Sequence, residues 1–202
     1  MNKILAALMI AAGVMSAGVA QADGDSPWMV RARAVNLNFA NHQTDQVKDL
    51  NIKADDRWIP EADISYFFTK NIAAELVLTY PQDIDVKLGG SKLGSVRALP
   101  PSLLLQYHFT DLGAFKPYVG AGVNYTLFSK RNNIGGIGAS VDSSSTGYVA
   151  QVGFDYAIDK NWSFNLDLKY ATMDTDVKLN GSKLGKLDLN PTMLGVGFGY
   201  RF

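Results

Sequence analysis

The chain of 202 residues carries 19 basic and 19 acidic residues, two histidines and no cysteine, and 47% of it is hydrophobic. Zero net charge argues against a nucleic-acid partner, which needs a basic face. The missing thiols remove disulfides and thiol chemistry, so the fold must hold by backbone pairing and packing.

Residues 1–22 read as a secretory signal that is removed. Lys3 gives the positive start, Ile4 to Ala12 the apolar stretch, and Ala20-Gln21-Ala22 the small-residue cleavage site, with Asp23 the first mature residue. No Cys follows, which excludes lipidation there. This is the only long apolar run and it is too short to span a bilayer, so no transmembrane helix is expected in the mature protein. The remaining stretch, 23–202, suits one domain.

Along that stretch, eight segments of about ten residues alternate in the two-residue period, the length a tilted strand needs to cross a bilayer. They fall near 28–39, 57–68, 71–80, 99–109, 117–128, 147–157, 161–171 and 191–202. The connections between them alternate in length. Those at Phe68 to Asn71, Phe109 to Lys116 and Ala157 to Asn161 are short, whereas 40–56, 81–98, 129–146 and 172–190 are long and rich in Gly, Ser, Asp, Asn and Lys. The expected fold is therefore all-β, an eight-stranded antiparallel transmembrane barrel with short periplasmic turns, long outer loops and both termini in the periplasm of a Gram-negative cell. A soluble eight-stranded barrel of the lipocalin kind meets the spacing as well.

Two further features favour the membrane. Trp28, Tyr66, Phe68, Tyr107, Phe109, Tyr118, Tyr156, Trp162, Tyr200 and Phe202 fall at the periplasmic strand ends, and Trp58, Tyr80, Tyr125, Tyr148 and Tyr170 at the outer ends. Two aromatic belts at strand-length separation suit two headgroup layers. In the last segment, residues 194, 196, 198, 200 and 202 are apolar or aromatic and alternate with Gly195, Gly197, Gly199 and Arg201. A terminal aromatic such as Phe202 is how outer-membrane barrels finish, and it is the expected contact with the barrel assembly machinery. The other expected partners are outer-membrane lipid and lipopolysaccharide.

An internal repeat crosses the long loops. Asp83-Ile84-Asp85-Val86-Lys87-Leu88 returns about 91 residues later as Asp174-Thr175-Asp176-Val177-Lys178-Leu179, each followed by a Gly-Ser-Lys-Leu-Gly block. Two similar halves support eight strands over seven or nine. The paired aspartates 83/85 and 174/176 could hold a divalent cation against lipopolysaccharide, or be simply solvated.

If Phe198, Phe202, Leu105, Phe109, Leu166 and Tyr170 face outward, strand parity fixes the inward set. In the lower half it is Arg31, Arg33, Glu61, Asp63, Glu75, Gln106, His108, Gln151, Asp155, Asn165, Asp167 and Arg201; in the upper half it is Val35, Leu37, Phe39, Ile59, Val77, Leu104, Phe128, Val149 and Met193. Eight strands leave room only for side chains or a small ligand, so the charges are expected to pair and plug the base beneath an apolar lumen that receives a small hydrophobic ligand or detergent. Inward glycines 120, 122, 195, 197 and 199 leave space for long Arg and Tyr side chains. A ligand that cannot pass an ion-paired base must leave sideways. Pro60, Pro100, Pro101 and Pro191 lie near outer strand ends, where a missing ladder donor weakens the wall, and the first three mark a possible lateral gate, although prolines also merely begin strands.

The stretches Leu99 to Phe109, Lys116 to Tyr125, Gln151 to Tyr156 and Gly199 to Phe202 resemble the OmpW family, which includes the alkane-uptake AlkL proteins. The resemblance covers essentially the whole mature chain, and Pro-Pro-x-Leu-x-x-Gln-Tyr-His-Phe at 100–109 is its most specific block. It implies an eight-stranded outer-membrane barrel that takes up small apolar molecules and releases them laterally. It brings no catalytic residue, no cofactor and no metal site. The alternative is a structural or adhesive barrel whose loops bind an external partner, as in a stress response or a phage or bacteriocin receptor. An enzyme is the rival from another class, and a His-based site would have two candidates, His42 in a polar loop, where a solvated side chain is the alternative, and His108 near acids at the base, where a structural role is the alternative.

Overall fold

The computed structural model describes residues 26–43, 53–54, 56–88, 91–130, 132, 134, 136 and 138–202, so the signal segment read at 1–22 lies outside the described residues. Among the described residues the chain forms fifteen strands: β1 (Trp28–Asn38), β2 (His42–Gln43), β3 (Lys53–Ala54), β4 (Arg57–Phe67), β5 (Ile72–Thr79), β6 (Gln82–Leu88), β7 (Ser91–Leu99), β8 (Ser102–His108), β9 (Phe115–Ser129), β10 (Ala139–Val141), β11 (Ser144–Ala157), β12 (Trp162–Ala171), β13 (Asp174–Leu179), β14 (Ser182–Asp188) and β15 (Thr192–Arg201).

Eight of these close into an antiparallel barrel in the order β1, β4, β5, β8, β9, β11, β12, β15, with β15 returning to β1. The β9–β11 pair runs from Ser144 opposite Leu127 to Tyr156 opposite Phe115, and β1 lies against β15 from Met29–Arg201 to Asn38–Thr192. Closure removes every barrel edge. Alternation does the rest: on β8, Ser102, Leu104, Gln106 and His108 are buried while Leu103, Leu105 and Tyr107 face out. The outward set includes Leu76, Leu105, Val119, Leu168, Val196 and Phe198, an apolar band that water would not tolerate around a monomer but a bilayer suits.

The short turns and both described chain ends share one end of the barrel, called the base here. Ser26 N–H donates to Phe202 O at 3.0 Å, and Arg201 N–H to Asn161 O at 2.8 Å. In the turn before β12, Asp159 Oδ1 accepts the N–H groups of Asn161 and Trp162, both at 2.8 Å, a side-chain substitute for a backbone turn bond. Around this end stand edge-to-face pairs such as Trp28–Tyr66, at 4.8 Å, and Trp162–Tyr200, at 5.0 Å. Tyr118, expected in this belt, is instead wholly buried inside the barrel. The opposite belt of Trp58, Tyr80, Tyr125, Tyr148 and Tyr170 is exposed as the pattern implied.

At the mouth two of the four long connections are strand hairpins rather than irregular loops. Segments 81–98 and 172–190 are the hairpins β6/β7 and β13/β14, and 139–141 is a further strand paired to β13. The period-two alternation of Asp-Ile-Asp-Val-Lys-Leu is itself a strand pattern, hidden by its polar composition. The repeat folds twice in the same way: Val86 lies opposite Gly94 and Val177 opposite Gly185, and both hairpins shift register just after that valine. Because β9 and β11 on one side and β1 and β4 on the other separate β5/β8 from β12/β15, the two hairpins rise from opposite walls.

Candidate functional site

The lower lumen is built by register. On β1, Arg31 lies opposite Asp63 of β4 and Arg33 opposite Glu61, while the other neighbours of these arginines on β15 are Gly199 and Gly197. A Cβ on Gly199 would sit 3.2 Å from Arg31 Cγ and one on Gly195 3.2 Å from Arg33 Cδ, so the glycines leave the arginines their volume. Arg31 grips Asp155 through two bonds, Nε–Oδ1 at 3.0 Å and Nη2–Oδ2 at 2.7 Å, and reaches Ser65 at 2.9 Å, Asp63 at 3.2 Å and Glu75 at 3.5 Å. Arg33 meets Asp63 at 2.8 Å, Glu61 at 3.0 Å and Glu75 at 3.3 Å, and donates from Nε to Asn165 at 2.6 Å.

Two further members come from residues that the sequence reading passed over. Lys169 Nζ bonds Asp167 at 2.6 Å and Glu61 at 2.7 Å, and Tyr118 donates its hydroxyl to Asp167 Oδ2 at 2.8 Å. Both obey the same signal: Lys169 has the parity of Asp167, and Tyr118 that of Gly120 and Gly122. A Cβ at Gly153 would fall 2.6 Å from the Tyr118 ring, which explains how so large a group fits inside. A neutral ladder joins in, with Gln106 Nε2 donating to Gln151 Oε1 at 2.8 Å, Gln151 Nε2 to Asp167 at 2.7 Å and Glu75 at 3.0 Å, and the His108 ring 3.0 Å from Gln106 Oε1. Arg31, Arg33 and Lys169 thus face five carboxylates in a space closed to water. Arg201, expected in this cluster, makes its described contacts at the base, donating to Ser26 O at 3.0 Å and lying over the Phe67 ring at 4.3 Å.

Above this floor the lining turns apolar. Val35, Leu37, Phe39, Ile59 and Phe128 are buried with Met193 packed against them, and Val77, Leu104 and Val149 form a second cluster with Ala171. The wall is more polar than expected, since Ser102, Asn124, Thr126 and Ser145 are buried among them. Asn124 Nδ2 donates to Ser102 Oγ at 2.9 Å, and Thr126 Oγ1 to Asn124 Oδ1 at 2.8 Å. The space is also smaller than an open chamber. Ile84, Val96 and Ala98 from one hairpin and Val177, Leu187 and Leu189 from the opposite one join the same core, leaving a cavity of about 30 Å³. Its lining includes Leu37, Ile59, Val77, Pro100, Met173 and Met193 above Glu61 and Lys169.

The prolines flank an interruption in the wall. The β5–β8 ladder ends at Val77–Ser102 and resumes as β6–β7 at Gln82–Ala98, so residues 78–81 and 99–101, Pro81, Pro100 and Pro101 among them, are not paired with each other in the described ladders, although Leu78 and Thr79 still pair with Ala62 and Glu61 of β4 and Leu99 with Leu127 of β9. On the other flank β4–β5 pairing stops at Glu61–Thr79, and Pro60 lies beyond it, paired only with Ala34 of β1. Pro81 was not singled out from the sequence. Asn36 and Asn38, on the face of β1 opposite Val35 and Leu37, point outward, and Asn38 Nδ2 bonds Asp56 at 2.8 Å.

At the mouth each repeated aspartate meets a cation. Lys92–Asp85 and Lys183–Asp176 are the same pair in the two repeats, both 2.8 Å long, and Lys186–Asp174 spans 3.2 Å. Arg97, at 2.7 Å, and Lys130 hold the Asp83 carboxyl well below the usual carboxylate range, and a hydrogen bond from Lys178 lowers Asp142. His42 is exposed at the edge of the β10-β13-β14-β2 sheet.

The OmpW family model matches residues 25–202. The chain belongs to the OmpW family. Outer-membrane protein y4mB of Sinorhizobium fredii is 43% identical over 90% of this chain and 82% of its own. Outer membrane protein W of Vibrio cholerae is 30% identical over the full length of both. Outer membrane protein AlkL of Ectopseudomonas oleovorans is 33% identical over 69% of this chain and 64% of its own. Among solved structures, the outer membrane protein OprG of Pseudomonas aeruginosa superposes with a TM-score of 0.76 at 27% identity, covering 88% of this chain and 97% of OprG. The OmpW family is one of outer-membrane barrels, not of enzymes, and this chain shares its transmembrane fold.

Proposed function

We propose that this barrel carries small hydrophobic molecules inward through the outer membrane and releases them sideways into the bilayer. The carrying observation is the stacking of an apolar cavity on an ion-paired floor, with an interruption of the β5–β8 ladder in the wall beside the cavity. Apolar side chains accept an apolar molecule, the floor refuses it passage, and the gap offers the remaining direction. The AlkL resemblance supports the same reading. In this arrangement both termini are periplasmic, residues 1–22 direct export, Phe202 is read by the assembly machinery, and the paired hairpins stand among lipopolysaccharide. Because the cavity is small in this structure, a ligand larger than a few atoms has to part the apolar contacts between the opposed hairpins.

The test is uptake of a hydrophobic compound by cells carrying Met193→Asp. A carboxylate at the cavity wall must be desolvated when the ligand arrives, so uptake should fall while the folded barrel, seen by its heat-dependent gel mobility, remains. Undiminished uptake with Asp in place refutes the chamber as the route. It would favour the second reading, a barrel whose ordered, ion-paired hairpins bind an external partner.

A further inference from the structure

The floor of the cavity presents hydrogen-bonding groups that the plug itself leaves unused. Lys169 and Glu61 both line it. The ammonium of Lys169 spends two protons on Glu61 Oε1 and Asp167 Oδ1, and its third has no acceptor among the described residues. Glu61 Oε1 takes the bonds from both Arg33 and Lys169, which leaves Oε2 without a donor among the described residues. Thr79, the cross-strand neighbour of Glu61, lines the same cavity, and its hydroxyl is buried with no partner. An unmet donor, an unmet acceptor and an unmet hydroxyl therefore line one space whose other polar side chains, Gln82, Ser102 and Asn124, already have partners. Unsatisfied buried polar groups are costly, and a ligand that completes them gains what the empty site lacks.

We infer that the molecule this cavity selects is an apolar one carrying a single hydroxyl, bound with that hydroxyl down on Glu61, Lys169 and Thr79. A hydroxyl both donates and accepts, so it donates a hydrogen bond to Glu61 Oε2 while accepting one from the Thr79 hydroxyl beside Lys169. A carboxylate head meets the negative charge of Glu61 and an ammonium head the positive charge of Lys169. A plain alkane leaves all three groups unmet. The inference rests on the uptake reading and narrows its substrate class.

The experiment measures saturable binding of octan-1-ol, octane, octanoate and octylammonium to the full barrel in lipid nanodiscs, corrected for partition into protein-free discs. Octan-1-ol should bind about tenfold more tightly than octane, the value of one hydrogen bond to a charged group, and more tightly than either ion. Thr79→Val keeps the shape and removes the hydroxyl, and should reduce the preference for alcohol over alkane. Equal binding of octan-1-ol and octane overturns the inference but leaves hydrophobic uptake standing. So does tighter binding of either ion, or an alcohol preference that Thr79→Val leaves unchanged. Absence of saturable binding by all four overturns both.

Discussion

The plug makes an asymmetric prediction, because its cations are outnumbered. Arg31 is fully buried and is shared by Asp155, Asp63, Glu75 and Ser65. Replacing it with Met leaves Arg33 and Lys169 facing all five carboxylates. Asp155 then keeps Asn165 Nδ2, at 2.9 Å, as its remaining described hydrogen-bond donor. Removing one partner of a buried ion pair costs about 3–5 kcal/mol, most of it the desolvation of the charge left behind. Asp155→Asn is milder, since Arg31 retains Asp63, Glu75 and Ser65 and the acidic excess falls by one; the loss is about 1–2 kcal/mol, that of a charged hydrogen bond. The double variant should cost less than the sum of the two, with a coupling of about 1–3 kcal/mol. Urea unfolding in lipid vesicles, followed by the fluorescence of Trp28, Trp58 and Trp162, reads all three. A cost for Arg31→Met below about 1 kcal/mol, or one for Asp155→Asn as large as that for Arg31→Met, refutes a closed, charge-paired plug.

Two glycines on one strand should behave oppositely. A Cβ on Gly197 collides with the Ala32 carbonyl and would sit 2.8 Å from Arg33 Cα, backbone that cannot yield, whereas at Gly195 it meets only side-chain atoms of Arg33 and Val35 at 3.2 and 3.3 Å. Gly197→Ala should therefore cost about 1–3 kcal/mol or more in the same unfolding assay and Gly195→Ala distinctly less. Because the chain has no cysteine of its own, Leu78→Cys with Pro101→Cys gives a clean cross-link just above the Val77–Ser102 pair, and forming it should stop uptake that the reduced protein retains. At the mouth, Lys178→Met should speed hydrogen exchange at the Asp176 amide, which donates to Asp142 Oδ2 at 3.2 Å, relative to its intrinsic rate. The carboxyl of Asp142 is held below its unfolded value, so its contribution is complete above about pH 4 and fades as pH falls further; the pair is half exposed and worth no more than about 1 kcal/mol, so global stability should not change.

What the sequence made legible was whatever strict alternation governs. Once Phe198 and Leu105 are turned to lipid, the inward places of Arg31, Glu61, Glu75, Gln106 and Asp155 follow, because a strand offers only two faces. Lys169 and Tyr118 obey the same parity and were missed for a different reason: residue type was allowed to override position, a tyrosine near a strand end being read as a belt residue. The mouth was opaque because its strands are polar on one face and short, so Asp-x-Asp-x-Lys reads as solvated loop until Ile84 and Val177 are seen to share a core with Val35 and Leu37. The small size of the cavity was not legible at all, since it depends on how two hairpins distant in sequence meet above the barrel.

The prolines also acquire a sharper meaning than weakness. A ladder that stops at Val77–Ser102 and resumes at Gln82–Ala98 leaves backbone groups with no strand partner beside Tyr80, and in a bilayer an unpaired N–H costs several kcal/mol. Pro81, Pro100 and Pro101 have no N–H to leave unpaired. Two of the carbonyls are met otherwise: Pro101 O accepts from Tyr125 N at 3.1 Å and Tyr80 O from Gln82 Nε2 at 3.0 Å. A wall segment built this way interrupts the β5–β8 ladder while leaving fewer unpaired donors to face lipid. A ligand leaving downward must separate Arg33 from Asp63 and Glu61, each severed partner costing about 3–5 kcal/mol. A ligand leaving between Tyr80 and Pro100–Pro101 would break no β5–β8 ladder bond, so the wall's construction supports the proposed sideways path before any motion is invoked.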